Sequence, residues 1–147
     1  MIYDPSTNPL NAQEWIFPFL EVIHISSFAM SVGTIAVLDL KLLGLGMRNY
    51  TATQLWRGLL LWTIAGLAIV MSSGLLLFTT DPFRYYYNPA FRFKVLMLLI
   101  AIVFHYTAVR KVAGSKNWPG ISAGAAAISI GLWASVVFGG IFYAFVA

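Results

Sequence analysis

The sequence predicts an all-α membrane protein, with four transmembrane helices in an up-down-up-down bundle. Three observations carry this. Hydrophobic residues make up 60% of the 147 and charged residues 10%, so most of the apolar surface needs the bilayer as its solvent. Four apolar stretches, at about 15–43, 55–78, 91–109 and 121–145, are each long enough to cross it. The connections between them are short, so consecutive spans run antiparallel, and a single domain covers residues 1–147.

Residues 1–13 read as a polar arm broken by Pro5 and Pro9, with Asn11 and Glu14 as a weak capping box. Trp15, Phe17 and Phe19 suit a headgroup-level aromatic belt. The first span ends at Gly44 and Gly46, and Arg48–Tyr50 turns the chain. The second span carries Gly58, Gly66 and Gly74 at intervals of eight, nearly on one face, where small residues let a neighbouring backbone approach. Asp81-Pro82 stops it. The following loop carries Tyr85, Tyr86 and Tyr87, expected as interface anchors. Asn88 as cap and Pro89 at the first helical position open the third span. Gly114–Gly120, with Trp118, connects to the fourth. There Ala127, Gly131, Ser135 and Gly139 form a packing stripe at intervals of four.

With no cysteine, disulfides, thiolate metal sites and Cys nucleophiles are excluded. The net charge of +4 reports topology, and no basic run interleaved with aromatics suggests a nucleic-acid partner. The amino terminus lacks Lys and Arg, and no cleavage-type site follows the first apolar stretch, so that span is expected to be retained. Lys41, Arg48, Arg57, Arg110, Lys111 and Lys116 fall at one end of the spans, and Arg84, Arg92 and Lys94 at the other. The excess predicts the first end as cytoplasmic and both termini as outside.

The polar strip EVIHISSFAMSVGT, residues 21–34, stands out inside the first span. Glu21, His24, Ser27, Ser31 and Thr34 are spaced by three or four and share largely one face. Ionisable groups within a span are costly and point to function. The only histidines are His24, on the first span, and His105, on the third. His24 lies nine residues in from Trp15 and His105 eleven in from Lys94, a depth difference of about 3 Å. Ala101 and Ala108 suggest space beside the His105 ring. The leading reading is therefore one b-type haem held between His24 and His105, with Ser27 or Glu21 orienting His24. Arg92, Lys94 and Arg84 would lie near its propionates.

Other readings are weaker. Glu21-x-x-His24 is half of a di-iron motif, but no other Glu lies in a span. Met30, Met71 and Met97 with a histidine could form a copper path, though methionine is also ordinary packing material. Asp39 is expected to pair with Arg57. Alternatively, a proton path runs from Glu21 through Ser27, Ser31 and Thr34 to Asp39. Tyr85–Tyr87 and Trp118 could line a quinone or lipid pocket. No nucleophile–base pair, phosphate loop, HExxH or EF-hand pattern occurs.

His24, Gly33 and LDLKLLGLG, then SSGLLLF, NPAFRFK and His105, resemble an uncharacterised family of small bacterial four-helix membrane proteins. The chain is also similar in style to CopD-type and cytochrome b561-type membrane domains over roughly residues 15–110. The b561 likeness implies bis-His haem on His24 and His105. The CopD likeness implies copper handling. The bacterial resemblance implies the inner membrane, with periplasmic termini. Three functions follow: a haem electron-transfer protein, alone or as a subunit of a larger redox complex; a cofactor-free assembly subunit in a homo-oligomer or with other membrane subunits; and a small transporter or proton conduit using Glu21 and Asp39.

Overall fold

The computed structural model describes residues 4–46, 49–114 and 119–146, so Arg48, Lys116 and Trp118 lie outside the described residues. Five helices follow in order: α1 (Ile16–Leu42), α2 (Ala52–Thr80), α3 (Pro82–Tyr87), α4 (Pro89–Ala113) and α5 (Pro119–Val146). Four of them, α1, α2, α4 and α5, are long and apolar enough to cross a membrane. The chain is thus an all-α, multi-pass bundle suited to a lipid bilayer.

α1 packs along α2, α4 along α5, and α1 also meets α5. Rising numbers on α1 meet falling numbers on α2: His24 contacts Ser73, Ser31 lies under Gly66, and Thr34 bonds Thr63. α4 and α5 are likewise antiparallel, with Lys94 against Gly139 and Leu98 and Ala101 beside Trp133 and Val136. On α2 the buried positions Thr63, Gly66, Leu67, Val70, Ser73, Leu77 and Thr80 recur at helical intervals. Two apolar clusters fill the interior. Ile35, Leu67, Leu98, Ala101, Trp133 and Val136 form one, and Leu38, Leu42, Val109, Ala113 and Ala126 the other.

The helix ends have identifiable causes. Thr51 and Gln54 make a complete capping box at the start of α2, worth about 1 kcal/mol. Asn88 Oδ1 accepts from the amides of Ala90 and Phe91, with Pro89 at the first turn, as the sequence predicts. Gly44 and Gly46 hold φ of 84° and 82° after α1, a conformation that costs glycine little.

The arm differs from expectation. Asn11 does not cap α1, which begins after Trp15 with no side-chain cap. Residues Pro5–Thr7 and Pro9–Asn11 form two short 3₁₀ turns. Asn8 Nδ2 donates to Thr79 O (2.7 Å) and Asn11 Nδ2 to Thr80 O (2.9 Å). The arm thereby serves carbonyls that the last turn of α2 would otherwise leave orphaned. Its own first turn is closed by Asp4, whose carboxyl the Ser6 hydroxyl and amide hold below the usual carboxylate range.

Candidate functional site

The polar strip of α1 lies against α2, forming a seam through the interior. His24 Nδ1 is 3.0 Å from Ser73 Oγ and 3.2 Å from Val70 O. Ser27 and Ser31 are buried and donate back to carbonyls one turn earlier on α1, the usual behaviour of a helical serine in an apolar setting. Ser31 Oγ also reaches Thr63 O across the interface (3.5 Å), and Thr34 Oγ1 meets Thr63 Oγ1 at 2.6 Å. Gly66 and Gly74 make this approach possible. A Cβ on Gly66 would lie 2.1 Å from Ser31 Oγ, and one on Gly74 3.1 Å from His24 Cε1. Gly58, the third glycine of the expected stripe, faces open space.

His105 sits near the other end of the interior. It is 3% exposed, and its ring lies 5.0 Å from that of Trp56 and 4.9 Å from that of Tyr106. Of the two alanines expected to leave space beside it, Ala101 packs in the apolar core. His105 opens a π-helical turn, His105–Val109. Ala101, His105, Val109 and Ala113 are all buried at intervals of four. In an α-helix each such step rotates about 40° off the face, and the wider π turn takes that drift back. Among the described residues, His105 Nδ1 has no hydrogen-bond partner. A cavity of about 10 Å³ lies beside the ring, lined also by Thr34, Thr63, Trp56 and three leucines.

The two histidines are not brought together. His24 touches α2 at Val70 and Ser73, whereas His105 touches it at Trp56. Fourteen residues of continuous helix separate Val70 from Trp56, about 21 Å along the axis. One iron cannot bond both rings across that distance, so a haem shared by His24 and His105 within this chain does not fit. The depth comparison failed because Trp15 and Lys94 are not level: His24 Nδ1 meets the half of α2 nearer Thr80, and His105 packs against the half nearer Ala52. Among the described residues, no group of three or more His, Cys, Asp or Glu is placed to hold a metal ion.

The remaining candidates divide between the two ends. Asp39, 1% exposed, accepts from Ser129 Oγ of α5 at 2.7 Å through Oδ2, while Oδ1 has no partner among the described residues. Arg57, its expected partner, is exposed instead. Glu21 is also exposed. Lys94 lies along Gly139 and Gly140, near enough for its charge to reach His24. Arg92 is engaged elsewhere: Nε donates to Tyr86 O (2.6 Å), and the guanidinium lies 4.7 Å from the Tyr86 ring centre.

The three tyrosines part company. Tyr86 and Tyr87 are exposed, as anchors would be, but Tyr85 turns inward onto Tyr143 (5.2 Å, 15°) and Phe91. Burial, with Tyr143 alongside, pushes the Tyr85 phenol above its ordinary range. Tyr85, Arg84, Asp81 and Phe17 also border an open cavity of about 290 Å³ beneath the arm.

A family profile matches residues 15–146, which takes in all four spans. The chain belongs to the family of unknown function DUF6644. Its helices are consistent with a small membrane family, and the match carries no link to CopD-type or cytochrome b561-type domains. Neither a curated protein nor a solved structure matches the chain.

Proposed function

We propose that this DUF6644 chain is a membrane-embedded proton-handling subunit. The observation that carries the reading is the imidazole–hydroxyl seam between α1 and α2. The hydroxyls of Ser73, Ser27, Ser31, Thr34 and Thr63 lie between His24 and the niche of His105, paired directly with a side chain at His24–Ser73 and Thr34–Thr63. Imidazole is the side chain whose ordinary protonation lies nearest neutral pH. Ionisable groups inside a span commonly mark proton pathways. Hydroxyls can both donate and accept, so they can link such groups without carrying charge. Glu21 lies one turn from His24 on α1, and Asp39 supplies a carboxyl toward the other end.

Proteoliposomes with an internal pH dye and an imposed potassium diffusion potential test this. The native chain should acidify or alkalinise the lumen faster than protein-free liposomes. His24→Gln should slow the change about tenfold, equivalent to about 1.4 kcal/mol on the barrier. Native rates equal to those of protein-free liposomes would overturn the proposal, as would an unaltered rate in His24→Gln.

A second reading, an assembly role, draws on α5. Gly139 of the expected stripe packs against Phe93 and Lys94, but Ala127 and Gly131 are exposed, and a Cβ on Gly131 would touch nothing. That face is free for a second copy of the chain to approach closely. Gly131→Leu should leave the single chain's thermal unfolding unchanged and lower the yield of cross-linked dimer in bilayers. Equal dimer yield would exclude this face.

A further inference from the structure

We infer that the cavity of about 10 Å³ between Thr34, Thr63 and His105 binds one structural water, which extends the hydrogen-bonded seam onto the His105 imidazole. The water's membership of a relay rests on the proton-handling reading; its presence does not.

Size is the first argument. A cavity needs about 10–15 Å³ of accessible space to hold one water, so this one fits a single molecule and nothing larger. Polarity is the second. A buried water needs two to four polar partners. Thr34, Thr63 and His105 all line the space, and the four other lining residues are Leu38, Leu59, Leu60 and Trp56.

The proton count is the third. Each threonine hydroxyl has one hydrogen and two lone pairs. Thr34 Oγ1 lies 2.8 Å from Ser31 O, and Thr63 Oγ1 lies 3.0 Å from Leu59 O. The 2.6 Å between the two hydroxyls requires one to donate to the other. One hydrogen is thus committed across the interface, and each oxygen still has a lone pair to accept a further donor. His105, 3% exposed and lining the cavity, is the other half of the requirement. A water donating to a threonine oxygen can accept from a ring N–H of His105, or donate to a bare ring nitrogen in the other tautomer. The π turn that begins at His105 keeps Val109 in the buried line with Ala101 and His105.

The sequence makes a clean test available because it contains two histidines. The full chain, labelled with ¹⁵N-histidine and reconstituted in hydrated bilayers, gives two imidazole environments by solid-state NMR, assigned with His24→Gln. Magnetisation transfer from water to the His105 ring is expected in the native chain. It should be lost in Thr34→Val/Thr63→Val and retained in Thr63→Ser. The unaltered His24 resonance reports that the valine variant has folded; should it change, Thr34→Val alone is read in its place. No transfer in the native chain would overturn the inference, and so would full transfer in the valine variant. Proton flux measured on the same preparations separates the two proposals. A hydrated His105 without flux refutes the relay and keeps the water, and flux with a dry His105 refutes the water alone.

Discussion

Gly66→Val is expected to separate α1 from α2 and to be the most damaging single substitution in the bundle. The position is buried, and even the first added carbon would lie 2.1 Å from Ser31 Oγ, 3.1 Å from Ser27 O and 3.2 Å from Met30 Cε. Ser31 is 0% exposed and already bonded to Ser27 O, so its hydroxyl has no solvent to turn into. Ser27 O is backbone and moves only if α1 moves. Overpacking of this kind costs about 1–3 kcal/mol, and the two further methyl groups of valine push the effect to the top of that range. Reversible unfolding in mixed micelles measures it. Gly58→Ala is the control, since an added Cβ there meets nothing within 4 Å. A Gly66→Val chain as stable as Gly58→Ala would show that the interface is not closely packed.

Ser129→Val is the second large effect, by a different mechanism. Asp39 Oδ2 has Ser129 as its hydrogen-bond donor, and Oδ1 has none among the described residues. Removing the hydroxyl leaves a 1% exposed carboxyl group with both oxygens unserved. The expected loss is about 1–3 kcal/mol, the penalty for stranding a buried polar group. Removing both partners avoids that penalty. Asp39→Leu/Ser129→Val should therefore recover most of the native stability, with a clear non-additive term in a double-mutant cycle. Additive losses would mean that the Ser129 hydroxyl does not hold the carboxyl.

The architecture was readable because span length and helix punctuation are local properties. The expected stretches at 55–78 and 91–109 lie within α2 and α4, and those at 15–43 and 121–145 correspond closely to α1 and α5. Asn88-Pro89 begins α4 through a cap made by neighbours in sequence. The polar strip of α1 was also visible, and Ser27, Ser31 and Thr34 meet α2 as a shared face requires. What could not be read is the axial offset between helices that are distant in sequence. His24 and His105 have nearly equal distances from Trp15 and Lys94, yet they touch α2 at Ser73 and Trp56. No local signal reports that slide, because packing at Gly66, Gly74 and Gly139 sets it. Ser129 escaped notice for the same reason: it lies between the stripe positions Ala127 and Gly131, and only the contact with α1 gives it a role. A signal did exist for the π turn. Ala101, His105, Val109 and Ala113 keep an interval of four for longer than an α-helical face sustains.

The amino-terminal arm has a consequence for the order in which the molecule assembles. It emerges before α2, and its Asn8 and Asn11 await the carbonyls of Thr79 and Thr80. Once α2 has entered the bilayer, the first hairpin has what it needs. The Thr34–Thr63 and His24–Ser73 contacts span 29 and 49 residues, and the arm closes over the returning end. The Asp39–Ser129 bond spans 90 residues and cannot form until α5 arrives. Until then, α1 holds an unserved carboxyl on the side that α5 will cover. The hairpin is thus a finished half that still needs its complement, and the late hydrogen bond fastens the two halves together.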